Sequence, residues 1–172
     1  MRRLYGSTGR EFALNQTLDI TAMPKKKYSF KLKSNLSELD RLCEHLDNFG
    51  QVYGLSKKCI FEINLALDEL FTNIISYGFA DDDDEHVIEI TLTPQNETLC
   101  LCIEDDGVPF NPIEAKEPDL ECTVEDCKIG GLGIHLIRNL MDEVCYERCG
   151  EKNVLTLKKN IAQTESNKNK TD

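Results

Sequence analysis

Leu65-Ala-Leu-Asp-Glu-Leu-Phe-Thr-Asn-Ile-Ile-Ser-Tyr-Gly-Phe79 carries two stripes at helical spacing. Ile60, Ile63, Leu67, Leu70 and Ile74 recur at steps of three and four, the period of a helix with one buried face. On a wheel of roughly 100° per residue, Glu62, Ala66, Glu69, Asn73 and Tyr77 fall together along one flank of that face. Glu69 and Asn73 are thus surface neighbours, one turn apart. Asn has poor propensity in the middle of a helix, yet Asn73 lies beside the apolar edge. On its own the pair is what an ordinary boundary position also contains, so its meaning depends on the rest of the chain.

The 172 residues suit one domain with a proper core, and 40% hydrophobic content is ordinary for a globular protein. No apolar run approaches the ~20 residues of a membrane span. The basic opening Met1-Arg-Arg-Leu-Tyr-Gly-Ser-Thr-Gly-Arg10 lacks an apolar signal-peptide core after it. A cytoplasmic location is therefore expected. A net charge of -11 argues against direct nucleic-acid binding, and the run Lys25 to Lys27 is the basic patch that stands out. The eight cysteines are scattered through apparently regular elements, as small hydrophobes in a reducing compartment would be. Cys100-x-Cys102 and Cys122-x4-Cys127 leave zinc as an alternative, without the usual paired spacing.

Residues 1–24 show no sustained period and are expected to form an N-terminal extension. Tyr28 to Lys33 alternates as a half-buried strand does. Ser34 or Asn35 can cap the next helix, with Glu38 completing a capping box if Asn35 is the cap. Leu36, Leu39, Leu42, Cys43, Leu46 and Phe49 form its expected apolar face. Ser56 then caps the central helix, which should end near Gly78. The acidic run Asp81 to Glu85 lacks the spacing and central glycine of a calcium loop and reads as a solvated turn. Strands His86 to Thr93 and Leu99 to Asp105 follow, joined by an expected loop of four or five residues at Pro94 to Thr98.

The row Leu99, Leu101, Ile103 continues with period two into Asp105, just before the turn Asp106-Gly107. A carboxylate aimed toward a core is costly unless hydrogen bonds reach it. A turn-initiating Asp is the plainer explanation for the same residue. Asn111 to Lys128 is irregular and acidic, the kind of long loop that is either disordered or functional. Gly130, Gly131 and Gly133 then open a helix whose apolar face is Ile134, Ile137, Leu140 and Met141. Backbone N–H groups at such a start can approach an anion, although a flexible joint also needs glycine. Neither the Walker nor the dinucleotide spacing is present. Strands near Glu143 to Arg148 and Asn153 to Lys159 close the domain at about residue 160. Residues 161–172 have the polar composition of a disordered tail.

Together the sites resemble one nucleotide-binding family. Glu69-x3-Asn73 is similar to the N box, Asp105-x-Gly107 to the first glycine box and Gly131-x-Gly133 to the second, of the Bergerat-type ATPases that include histidine kinases and gyrase. Within that family the chain resembles the bacterial anti-sigma-factor serine/threonine kinases, from about Lys27 to Lys159. The resemblance implies an α/β two-layer sandwich: a mixed, mainly antiparallel sheet covered on one face by about three helices. It implies ATP and Mg2+ as cofactors. Asn73 would hold Mg2+ and Glu69 would act as general base, while Asp105 would accept from the adenine amino group above Gly107. Gly131, Leu132, Gly133 and Ile134 would offer backbone N–H groups to the phosphates, under a lid formed by Asn111 to Lys128. It also implies, as partners, a sigma factor and a small anti-sigma-factor antagonist. A homodimer is a further expectation, as is a nucleotide-dependent binding module as the alternative to kinase turnover.

Overall fold

Alternating inward residues build the sheet first. In the computed structural model, which describes residues 26–79, 85–114 and 132–162, the strands are β1 (Tyr28–Lys33), β2 (Val87–Gln95), β3 (Thr98–Asp105), β4 (Glu143–Cys149) and β5 (Lys152–Asn160). They lie in the order β1-β2-β3-β5-β4. All four described pairings are antiparallel, so the parallel contribution to a mixed sheet is not found among the described residues. Phe30, Leu32, Ile88, Ile90, Leu92, Leu99, Leu101, Ile103, Leu155 and Leu157 form one buried face.

Three helices cover that face: α1 (Leu39–Tyr53), α2 (Lys57–Asn73) and α3 (Leu132–Leu140). Leu42, Leu46 and Phe49 of α1, Ile63, Leu67 and Leu70 of α2, and Ile134 and Ile137 of α3 complete the core. Truncating one such leucine to alanine costs about 2–5 kcal/mol. Ser56 caps α2 as the sequence predicts, its hydroxyl accepting from the backbone N–H of Cys59 at 3.1 Å.

Three local expectations change. The β2–β3 connection is a tight turn at Asn96-Glu97, with Asn96 at φ 57°, rather than a loop of four or five residues. Pro94 fits inside β2 because the β1 pairing reaches only Leu92, so the missing N–H faces an edge. Asn35 caps a short 3-10 turn (Leu36–Glu38) through the N–H of Ser37, but Glu38 pairs with Arg41 instead of closing a capping box. That tighter turn moves Leu36 off the helical face, and it is exposed, as is Cys43. Finally, α2 stops at Asn73 and gives way to a π-helical turn (Ile74–Gly78).

Lys159 on β5 ties the layers together. Its ammonium sits 2.7 Å from the Glu62 carboxylate of α2 and donates to the carbonyl of Leu140 at the end of α3, at 2.6 Å. A cation at that carbonyl also complements the helix dipole. The expected extension at residues 1–24, most of the acidic run, the loop beyond Glu114, Gly131 and nearly all of the tail lie outside the described residues.

Candidate functional site

The end of α2 brings Glu69 and Asn73 to the start of α3. A Cβ built on Gly133 would stand 2.5 Å from Glu69 Oε2 and 3.3 Å from Asn73 Nδ2, so any larger residue would displace these two side chains from where they stand. Two motifs sixty positions apart thus share one small volume. Asn73 Nδ2 is buried and makes no hydrogen bond among the described residues. Such a group costs about 1–3 kcal/mol; Asn64 Oδ1, elsewhere on α2, is also buried without a partner among the described residues, but Asn73 is the one that lines the cavity beside the π-helical turn.

The π-helical turn then carries the chain across the first glycine motif. Gly78 O accepts from the N–H of Val108 at 3.0 Å, and a Cβ on Gly107 would lie 2.9 Å from both Gly78 O and Asp105 Oδ1. Gly107 is therefore needed for contact between two backbones. A cavity of about 150 Å³ opens between the π-helical turn and the sheet, lined among others by Asn73, Tyr77, Asp105, Phe110, Ile134 and Asn153.

Asp105 closes its floor. It is 6% exposed and inward-facing, where the period of the strand puts it. Its Oδ1 accepts from the Gly107 N–H at 2.9 Å and from Asn153 Nδ2 at 2.7 Å. Burial pushes its pKa up, against the pull of those two hydrogen bonds; Asp106 adds to the rise and Arg148 opposes it. Among the described residues nothing donates to Oδ2.

Of the residues singled out from sequence, Glu69, Asn73, Asp105, Gly107, Gly133 and Ile134 converge here. Gly131, the side chain of Leu132 and most of the expected lid fall outside the described residues. Sequence reading missed Asn153, which pairs with Asp105 in the β3–β5 register. The signal was present, for Asn153 ends the inward row Leu157, Leu155 just as Asp105 ends its own. It also missed Arg138 of α3, which donates to the carbonyls of Pro112 (3.1 Å) and Ile113 and anchors the segment leaving the cavity. Among the described residues no group of three or more His, Cys, Asp or Glu is placed to hold a metal. Cys122 and Cys127 are outside them.

Residues 32–159 match the model of the histidine kinase-like ATPase domain. The chain belongs to that family. It is similar to the serine/threonine-protein kinase BtrW of Bordetella bronchiseptica, 32% identical over 102 residues that cover 59% of this chain and 71% of the relative. The serine-protein kinase RsbW of Listeria monocytogenes serotype 4a is 31% identical over 121 residues, 66% of this chain and 75% of the relative. An anti-sigma F factor of Geobacillus kaustophilus is 28% identical over 106 residues, 61% and 72% respectively. Among solved structures, the RsbU and RsbW domains of Rv1364c from Mycobacterium tuberculosis superpose with a TM-score of 0.54 at 15% identity. That match covers 80% of this chain and 33% of that one, so this chain spans about a third of the neighbour's length and the likeness concerns the fold.

For this ATPase domain, the family implies ATP binding, and the relatives place it among anti-sigma-factor and serine kinase proteins. No described helix is long and apolar enough to cross a membrane.

Proposed function

We propose that residues 25–160 form an ATP- and Mg2+-dependent serine/threonine protein kinase that phosphorylates a small anti-sigma-factor antagonist and, in its other complex, sequesters a sigma factor. The observation that carries the reading is the contact of Gly133 with both Glu69 and Asn73, because it joins a general base, a cation ligand and a phosphate-binding helix start. The names of the sequence relatives support the protein substrate.

The residues fit the group they would hold. Rotating the Asn73 amide puts Oδ1 where the orphaned Nδ2 stands, a hard oxygen ligand for Mg2+. Bound together, ATP and Mg2+ supply the phosphoryl group and the charge that offsets its oxygens. Leu132, Gly133 and Ile134, at the described start of α3, and Gly131 before it would offer backbone N–H groups to the phosphates, with the helix dipole behind them. Asp105 would receive the adenine amino group through Oδ2, and Tyr77 and Phe110, both half-exposed at the cavity mouth, would offer apolar surface to the base. Glu69, one turn before Asn73, would take the proton from the substrate hydroxyl as that oxygen bonds to the γ-phosphorus, whose bond to the bridging oxygen breaks with ADP as the leaving group. The protein works in the cytoplasm, without contacting nucleic acid itself, and as a homodimer.

Labelled ATP and a candidate antagonist test the reading. Transfer to a serine or threonine of the antagonist, lost in Glu69→Ala while ATP still binds, is the expected result. Binding of ATP and partner by the unmutated protein with no transfer would overturn the kinase and leave a nucleotide-dependent binding module.

A further inference from the structure

The far end of the sheet carries a polar row that runs across three strands. Arg148 on β4 pairs with Asn153 on β5, and Asn153 pairs with Asp105 on β3. The side chains connect in the same order. Arg148 Nη1 donates to Asn153 Oδ1 at 2.9 Å, and the hydroxyl of Tyr146 donates to the same oxygen at 2.8 Å. Asn153 Nδ2 then donates to Asp105 Oδ1 at 2.7 Å, with the carbonyl of Val108 at 3.1 Å and that of Gly107 at 3.3 Å. Arg148 Nη1 also reaches the Gly107 carbonyl at 2.9 Å.

The chemistry of the donors gives this row a direction. An asparagine amide has an acceptor end and a donor end of nearly equal shape, so its orientation follows from its partners. Tyr146 does not decide it, because a hydroxyl donates or accepts. Arg148 holds the oxygen end, since a guanidinium has no acceptor, and the carbonyls of Val108 and Gly107 hold the NH2 end, since a carbonyl has no donor. With Arg148 beside it, the amide oxygen must turn toward β4 and the NH2 group toward Asp105. In the opposite orientation two acceptor oxygens would meet at 2.7 Å, a contact that requires Asp105 to carry a proton.

We propose that Arg148 is a positioning residue of the nucleotide site: acting through the Asn153 amide, it keeps Asp105 an ionised acceptor with Oδ2 directed into the cavity. The inference rests on the reading of Asp105 as the carboxylate that receives the base. The charged and titratable groups around Asp105 lie on both sides of the sheet end. Asp106 adjoins it, Arg148 and Tyr146 face it from β4, and Tyr77 lines the same cavity from the α2 side. Glu104, Lys152, Glu89, Lys31, Glu85 and His86 line the outer side near it, with His86 held 3.1 Å from Asp106. Burial favours the protonated form, and the hydrogen bond from the Asn153 amide is the largest influence opposing it.

The test is a carbon-13 NMR titration of the Asp105 carboxyl in the full chain without nucleotide, beside calorimetric ATP titrations across the neutral range. In Arg148→Ala the Asp105 midpoint rises and ATP affinity falls roughly tenfold, the weight of one buried hydrogen bond, with the loss steeper on the acid side. Arg148→Lys, which still only donates, restores both. Arg148→Met, which keeps the packing of the stem, repeats the alanine result if the alanine variant does not fold. An Asp105 midpoint unchanged in both Ala and Met variants, or a lysine variant indistinguishable from them, overturns the proposal. Failure of the unmutated protein to bind ATP would instead strike the nucleotide reading, while the carboxyl titration still decides the role of Arg148.

Discussion

Glu69 leaves no room for a side chain at Gly133: a Cβ there would stand 2.5 Å from Oε2 of Glu69 and 3.3 Å from the Asn73 amide nitrogen. The start of α3 and the end of α2 are therefore fitted to each other at the residues read as base, cation ligand and phosphate cradle. Gly133→Ala forces the Glu69 carboxylate to swing away or α3 to shift. Because the flexible end of Glu69 can give, the fold should survive at a cost of about 1–3 kcal/mol. ATP affinity should fall at least about tenfold. Calorimetry with circular dichroism checks both, and an unchanged affinity would refute the assignment.

Asp105→Asn is expected to weaken ATP binding and to stabilise the protein. Burial raises the folded-state value of this carboxyl above its unfolded one. Its favourable contribution is therefore complete below the ordinary carboxylate range and is lost as pH rises through the folded value. The neutral, isosteric amide removes that penalty and still accepts from Gly107 and Asn153. At neutral pH the gain should be about 1 kcal/mol, the usual scale when a functional group is neutralised. Melting curves against pH would show it, with the difference from the unmutated protein vanishing in acid.

Asn73→Ala separates cation binding from packing. The amide nitrogen is buried with no described partner, so removing it relieves a desolvation cost and melting should not fall. The extra ATP affinity conferred by Mg2+ should disappear. Titrations with and without Mg2+ read the effect directly, and a variant that keeps its Mg2+ dependence would dismiss Asn73 as the ligand.

Lys159→Met tests the strut between the layers. It strands the largely buried Glu62 carboxylate, which among the described residues keeps the more distant Lys58 at 3.7 Å, and it uncaps the carbonyl of Leu140. A loss of about 2 kcal/mol is expected in urea unfolding, since a half-broken buried pair costs more than an exposed one. A variant as stable as the parent would show that the pair is dispensable.

His45 supplies an acid sensitivity outside the site. Its ring stacks on Phe30 at 4.1 Å and meets the Tyr28 hydroxyl at 2.7 Å. Burial lowers its folded value, with help from Arg41 and opposition from Glu44. A depressed value means that stability is present above the ordinary histidine range and is lost as pH falls through the folded value. His45→Gln, which retains an acceptor for Tyr28, should flatten that part of the stability curve; equal slopes for both proteins would exclude His45 as the source.

What the sequence determined by itself was whatever fits within a short window. Helical period exposed the flank holding Glu69 and Asn73, and strand period turned Asp105 inward. Glycine placement marked the start of α3. These follow from the local geometry of one helix or one strand, so a handful of neighbouring residues is enough to express them. Tertiary structure decided how the windows meet. The close approach of Gly133 to Glu69 depends on two helices held against one sheet, and the row Arg148, Asn153, Asp105 on a register set by every inward side chain of three strands. No local pattern encodes a register, because a strand slipped by two residues keeps the same alternation and only the packed core distinguishes the two.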